Sequence, residues 1–139
     1  MAKILVAEDE AALREFVQRA LTHYGHEVVA VRDGAEALLE LQGDNAYDLV
    51  LTDIVMPIMD GIALSLKIAK EYPQIKILLM TGYAAERQRA HNLDDLIHDV
   101  ISKPFTLSDI CDKVAEALAS NGHAVEPVSA KDFGLENKD

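Results

Sequence analysis

Four stretches of the chain place chemically competent side chains directly after a short apolar run. Ile4-Leu5-Val6-Ala7 leads into Glu8-Asp9-Glu10, and Leu49-Val50-Leu51 leads into Thr52-Asp53. Ile75 to Met80 is followed by Thr81-Gly82, and Val100-Ile101 by Ser102-Lys103-Pro104. Acids, a hydroxyl and a lysine make up a set suited to transferring a phosphoryl group onto a carboxylate. Magnesium takes oxygen ligands in near-octahedral geometry and keeps several waters. Glu8, Asp9 and Asp53 are candidate ligands, helped by a backbone carbonyl from the loop after Asp53. Such a metal and the Lys103 ammonium would neutralise the equatorial phosphoryl oxygens, where transition-state charge collects. Asp53 is then the candidate nucleophile, and an acyl phosphate the product. Each stretch alone has a plainer reading: Glu8-Asp9-Glu10 as caps of the next helix, Thr81-Gly82 as a turn, Lys103-Pro104 as a helix stop. Asp53 resists that treatment, because a carboxylate ending a buried strand needs a partner.

The elements that must position these groups are legible as alternation. Val28 to Val31 completes a set of five strand-like runs, separated by stripes of helical period. Leu13, Phe16, Val17, Ala20, Leu21 and Tyr24 form the first stripe, stopped at Gly25. Asp33 can cap a helix carrying Ala35, Leu38 and Leu39, and Asp60-Gly61 opens one through Ile62, Leu66 and Ala69 that Pro73 ends. Ala84 to Leu93 predicts the most polar helix. Thr106 and Asp109 suggest a capping box for the last, whose stripe is Leu107, Ile110, Cys111, Val114 and Leu118. Five strands alternating with five helices predict an α/β, doubly wound, five-stranded parallel sheet. The flavodoxin-like order 2-1-3-4-5 places its ligand crevice at the carboxyl ends of strands 1 and 3. Residues 1–119 are expected to form the domain. Periodicity stops near Ser120, so 120–139 reads as a flexible C-terminal tail.

The length of 139 residues allows one domain with a real core, and a net charge of −11 argues against a nucleic-acid surface. One cysteine, Cys111, excludes an internal disulfide and gives no zinc pattern. No apolar run is long enough for membrane insertion, and none resembles a signal peptide, so a cytoplasmic protein is expected.

Glu8-Asp9, Thr52-Asp53-Ile54-Val55-Met56-Pro57 with Asp60-Gly61, Thr81-Gly82 and Lys103-Pro104-Phe105 together resemble the signature set of CheY-like response-regulator receiver domains. The similarity spans roughly residues 3 to 119. It implies Mg2+ bound directly by Asp9, largely through water by Glu8, and by the Val55 carbonyl beside a phosphorylated Asp53. The Thr81 hydroxyl, the Gly82 backbone and Lys103 are implied to hold the phosphoryl oxygens, with a cis Lys103–Pro104 peptide. The implied donor is a histidine kinase or histidine phosphotransferase. Receivers commonly carry an aromatic residue three positions before the lysine, where this chain has Val100. Tyr83 is either its substitute or an exposed loop residue. Val55 and Tyr83 would line the approach of hydrolytic water without orienting it, so slow self-dephosphorylation is expected. A phosphatase of the DxD type would need an acid at position 55, so no enzyme is expected beyond the chain's own phosphoryl transfer.

The segment Leu78 to His91, continuing through Leu96 to Val100, is similar to the CpdR type of single-domain regulator. That resemblance implies a phosphorylation-controlled adaptor acting on the ClpX unfoldase of the ClpXP protease. Arg87, Arg89 and His91, basic residues on an acidic molecule, are the feature that favours the adaptor, and a solvated helix face is the equally open plainer reading of that patch. The alternative is a phosphate sink or shuttle between histidine proteins, with no effector.

Overall fold

Strands and helices alternate without interruption along the chain, and each strand runs parallel to its neighbours. The structure, a computed structural model, describes residues 1–120; the rest of the expected tail, 121–139, lies outside the described residues. The strands are β1 (Lys3–Ala7), β2 (Glu27–Val31), β3 (Leu49–Asp53), β4 (Lys76–Thr81) and β5 (Asp99–Ser102). The helices are α1 (Ala11–His23), α2 (Gly34–Gly43), α3 (Gly61–Glu71), α4 (Ala84–His91) and α5 (Leu107–Ala119). The sheet order is β2-β1-β3-β4-β5, the expected doubly wound arrangement.

Both faces of the sheet are covered, so the central strands read as continuous apolar runs rather than alternating ones. Leu5, Val50, Ile77 and Leu79 face α2, α3 and the residues after α4, packing on Ala37, Leu41, Leu64 and Ile68. Ile4, Val6, Leu49, Leu51, Leu78 and Met80 face the other way, onto Val17, Leu21, Ile110 and Val114 of α1 and α5. Cys111 lies in that second layer.

Helix boundaries follow local chemistry. Asp33 and Asp60 cap α2 and α3, accepting from the backbone N–H groups of Glu36 and Ala63 at 2.9 Å each. Thr106 and Asp109 form a reciprocal capping box on α5. Gly25 follows α1 with φ of +95°, a conformation open to glycine.

The stripes of α2 and α3 are rotated from the expected ones. Leu39 and Leu66 are exposed, and the buried faces are Gly34, Ala37 and Leu41 in α2 and Gly61, Leu64, Ser65 and Ile68 in α3. Apolar residues lie on more than one side of each helix, so periodicity alone does not fix the rotation. Close packing does. A Cβ at Gly61 would lie 2.1 Å from the Asp53 carbonyl oxygen, and one at Gly34 would lie 2.6 Å from that of Met59. Phe16 and Tyr24 of the first stripe are likewise exposed, because α1 turns Val17, Ala20 and Leu21 inward.

Gly61→Ala should therefore destabilise the protein by roughly 1–3 kcal/mol, the cost of overpacking against backbone that cannot yield. Urea unfolding checks this, and Gly43→Ala, where an added Cβ meets nothing within 4 Å, serves as the control.

Candidate functional site

The carboxyl ends of β1, β3, β4 and β5 form one edge of the sheet, and the side chains there are held by short, specific contacts. β1 and β3 are direct neighbours in register, with Ala7 opposite Thr52, so the residues just beyond each come together. Glu8 is 1% exposed and Asp53 6% exposed, whereas Asp9 is open to solvent. Oxygens from the carboxylates of Glu8, Asp9 and Asp53 all lie within 4.8 Å of one another. Lys103 reaches in from the end of β5, donating to Asp53 Oδ2 at 3.0 Å and to Glu8 Oε1 at 3.2 Å. The second Asp53 oxygen accepts from the Ile54 N–H at 3.0 Å.

The acids after β1 do not serve as helix caps. Glu10 occupies the N-cap position of α1 but makes no side-chain capping bond. Glu8 points into the site instead, fixed by the Glu10 N–H on its Oε2 at 2.9 Å. The plainer reading of this triplet therefore fails.

Crowding is visible in the acid–base balance. Burial raises the Glu8 carboxyl to about 7, against the opposing pull of the Glu10 N–H and Lys103, and Asp53 adds to the rise. Burial raises Asp53 too, outweighing its bonds to Lys103 and Ile54. For Lys103 burial works downward, yet the two carboxylates more than offset it and leave its pKa raised. One ammonium facing three acids leaves a surplus of negative charge. That donor set suits a hard, oxygen-seeking divalent cation such as Mg2+.

Thr81, at the end of β4, is 2% exposed. Its hydroxyl bonds Glu86 Oε1 at 2.9 Å and lies 3.1 Å from the Tyr83 carbonyl oxygen. Glu86 was not among the residues expected at the site. Its place at the third position of a helix, five residues after a strand-end threonine, is the signal that could have found it. Gly82 is exposed beside Thr81, and the Lys103–Pro104 peptide is cis. Tyr83 is 72% exposed and Val55 50%, while Val100 is partly buried on the edge strand. The loop after Asp53 turns at Ile58, with φ of +71° and the Met59 N–H donating to the Pro57 carbonyl at 2.7 Å. A β-branched residue there is backbone strain in a three-residue turn.

The basic groups of α4 are not free. Arg89 bonds Asp60 at 3.1 Å, Arg87 bonds the Ser102 hydroxyl at 2.6 Å, and His91 lies 3.0 Å from Asp94.

The family model for the response regulator receiver domain matches residues 4–115. The chain belongs to that family. Among curated relatives, the response regulator receiver protein CpdR of Brucella abortus is 38% identical over 118 residues, covering 85% of this receiver and 98% of that protein. Response regulator protein FleR of Pseudomonas aeruginosa is 41% identical over 114 residues, which are 82% of this receiver but 24% of FleR. Among solved structures, TrrA of Thermotoga maritima, in complex with Mg2+ and BeF, superposes with a TM-score of 0.76 at 32% identity, covering 84% of this receiver and 99% of that chain. Among the described residues of this receiver, no helix is long and apolar enough to cross a membrane.

A carboxyl whose pKa is higher in the folded state than in the unfolded one lowers stability as pH rises between the two values. Glu8 should weaken the metal-free receiver progressively between about pH 4.5 and 7. With EDTA present, Glu8→Gln should gain Tm relative to the native chain on going from pH 5 to pH 8, on the order of a few degrees. Calorimetry at the two pH values checks the sign; a difference that shrinks with pH would contradict it.

Proposed function

We propose that this receiver is a two-component switch, phosphorylated on Asp53 by a histidine kinase or histidine phosphotransferase. The observation that carries the reading is the buried Asp53 carboxylate, held by Lys103 at 3.0 Å and crowded by Glu8 and Asp9. Glu8, Asp9 and Asp53, with the Val55 carbonyl, would hold Mg2+, which supplies positive charge against the phosphoryl oxygens when bound. An Asp53 oxygen attacks phosphorus as the P–N bond of a phosphohistidine breaks, and the freed imidazole takes up a proton. Lys103 keeps its charge throughout, moving from carboxylate to phosphoryl oxygen, while the Thr81 hydroxyl and the Gly82 N–H offer further donors. The receiver is then catalyst and substrate of its own modification, with no turnover of another molecule. Such a switch belongs in the cytoplasm, where its donors act.

Asp53→Asn should abolish labelling by acetyl phosphate at unchanged fold, and EDTA should slow native labelling by at least tenfold. Mass spectrometry of the intact chain and its peptides checks both. Full labelling of the variant at another residue would overturn the site.

For the output, near end-to-end alignment with CpdR supports an adaptor acting on the ClpX unfoldase. One observation favours the second reading, a phosphate sink: the basic groups of α4 are engaged within the molecule rather than presented. Capture of ClpX by the native receiver, lost when beryllofluoride and Mg2+ are added, is the outcome expected of the adaptor. No capture in either state, with phosphate passing back to a histidine protein, is the outcome expected of the sink.

A further inference from the structure

A glutamate at the third position of a helix ordinarily reaches back to the N–H of the N-cap residue, closing a capping box. In α4 the N-cap is Tyr83 and the third position is Glu86, yet the box is not closed directly. The Tyr83 N–H donates to the Thr81 hydroxyl oxygen at 3.3 Å, and Thr81 Oγ1 lies 2.9 Å from Glu86 Oε1. A hydroxyl has one proton to give, and an ionised carboxylate is a stronger acceptor than the Tyr83 carbonyl at 3.1 Å. The strand-end hydroxyl is thus inserted into the cap of the helix immediately after it. Apolar packing does little to hold that end of α4, since Ala90 is its one buried residue, and the other attachment there is the polar bond from Arg87 to Ser102.

The same hydroxyl is wanted elsewhere. Thr81 directly follows Met80, which is in register with Asp53, and its carbonyl accepts from the Lys103 N–H at 2.7 Å. A hollow of about 210 Å³ beside it is lined in part by Thr81, Tyr83, Ser102 and Lys103, the lysine that also bonds Asp53. We infer that Glu86 is a positioning residue for the switch: it holds the Thr81 hydroxyl on α4, so that a phosphoryl group on Asp53 and a capped α4 oppose each other. This rests on Asp53 being the phosphorylated residue. A phosphoryl group brings about −1.5 to −2 charges. It draws the hydroxyl proton toward itself and so takes the hydrogen bond from Glu86. Deprived of its relay, the first turn of α4 opens more often. Linkage makes the effect reciprocal: whatever factor the phosphoryl group takes from the cap, the cap takes from phosphoryl binding.

The test is a titration of the full chain with beryllofluoride in the presence of Mg2+, followed by NMR, together with amide exchange over residues 84–87. Glu86→Ala should bind the probe roughly tenfold more tightly than the native chain, the scale of one lost hydrogen bond to a charged group. Glu86→Gln, which keeps a neutral acceptor, should fall between. In the native chain the probe should speed exchange across 84–87 several-fold; in Glu86→Ala exchange should be fast already. On a Thr81→Val background, Glu86→Ala should change probe affinity by less than twofold, because its lever is gone. A through-space charge effect, or a general loosening of α4, would persist in that background and overturn the relay. Unchanged affinity in Glu86→Ala overturns the relay alone, whereas a native chain that binds no beryllofluoride overturns the Asp53 reading and the relay with it.

Discussion

The Lys103 ammonium lies between two carboxylates that the sheet has drawn out of water, 3.2 Å from Glu8 and 3.0 Å from Asp53. Burying either acid without it would leave an uncompensated charge, a defect that costs about 3–5 kcal/mol when one partner of a buried pair is removed. The strand order satisfies this requirement. Glu8 and Asp53 come from adjacent strands and meet without effort, but Lys103 comes from β5, on the far side of β4. Two strand spacings amount to about 9.5 Å, a gap closed by the long lysine stem from one side, the Asp53 carboxylate from the other and the 3.0 Å hydrogen bond between them. The apolar stem passes beside Gly82, where an added Cβ would lie 3.9 Å from Lys103 Cδ, and 23% of the side chain stays accessible.

Most of this arrangement is legible in the amino-acid sequence. Strands in a sheet covered on both faces are apolar runs, so the polar residues that terminate them stand out, and Glu8, Asp9, Asp53, Thr81 and Lys103 are identifiable on that ground. The caps at Asp33, Asp60 and Thr106 are equally visible, because a cap is a local event between residues three apart. Helix rotation is not. Leu39 and Leu66 look like core residues until a backbone approach, at Gly34 and Gly61, decides which side faces in. The partners of Arg87, Arg89 and Glu86 are hidden for a related reason. Ser102 and Asp60 are 15 and 29 residues away in the chain, and Thr81 bonds Glu86 across a helix boundary that composition does not mark.

The helices divide by how they are attached. α2, α3 and α5 carry their own side-chain caps and bury apolar faces. α1 lacks a side-chain cap but is held by Val17, Ala20 and Leu21. α4 alone among them has one buried residue, a borrowed cap and two arginine tethers, to Ser102 and Asp60. Polar attachments exchange with water at small net cost, whereas apolar ones do not. A fold built this way has four helices held by buried apolar faces and one held chiefly by polar bonds, the kind of weakly packed element from which moving ones are drawn.

Lys76, at the opposite end of β4 from Thr81, donates to the carbonyl oxygens of Leu118 and Ser120 and so fastens the end of α5. The five residue steps between Lys76 and Thr81 amount to about 17 Å of extended strand. The chain therefore leaves the described fold at the pole opposite the acidic site, anchored to the same strand that ends in Thr81. A protein gripping the receiver by its exit would sit clear of the loops around Asp53 and leave the acidic site uncovered.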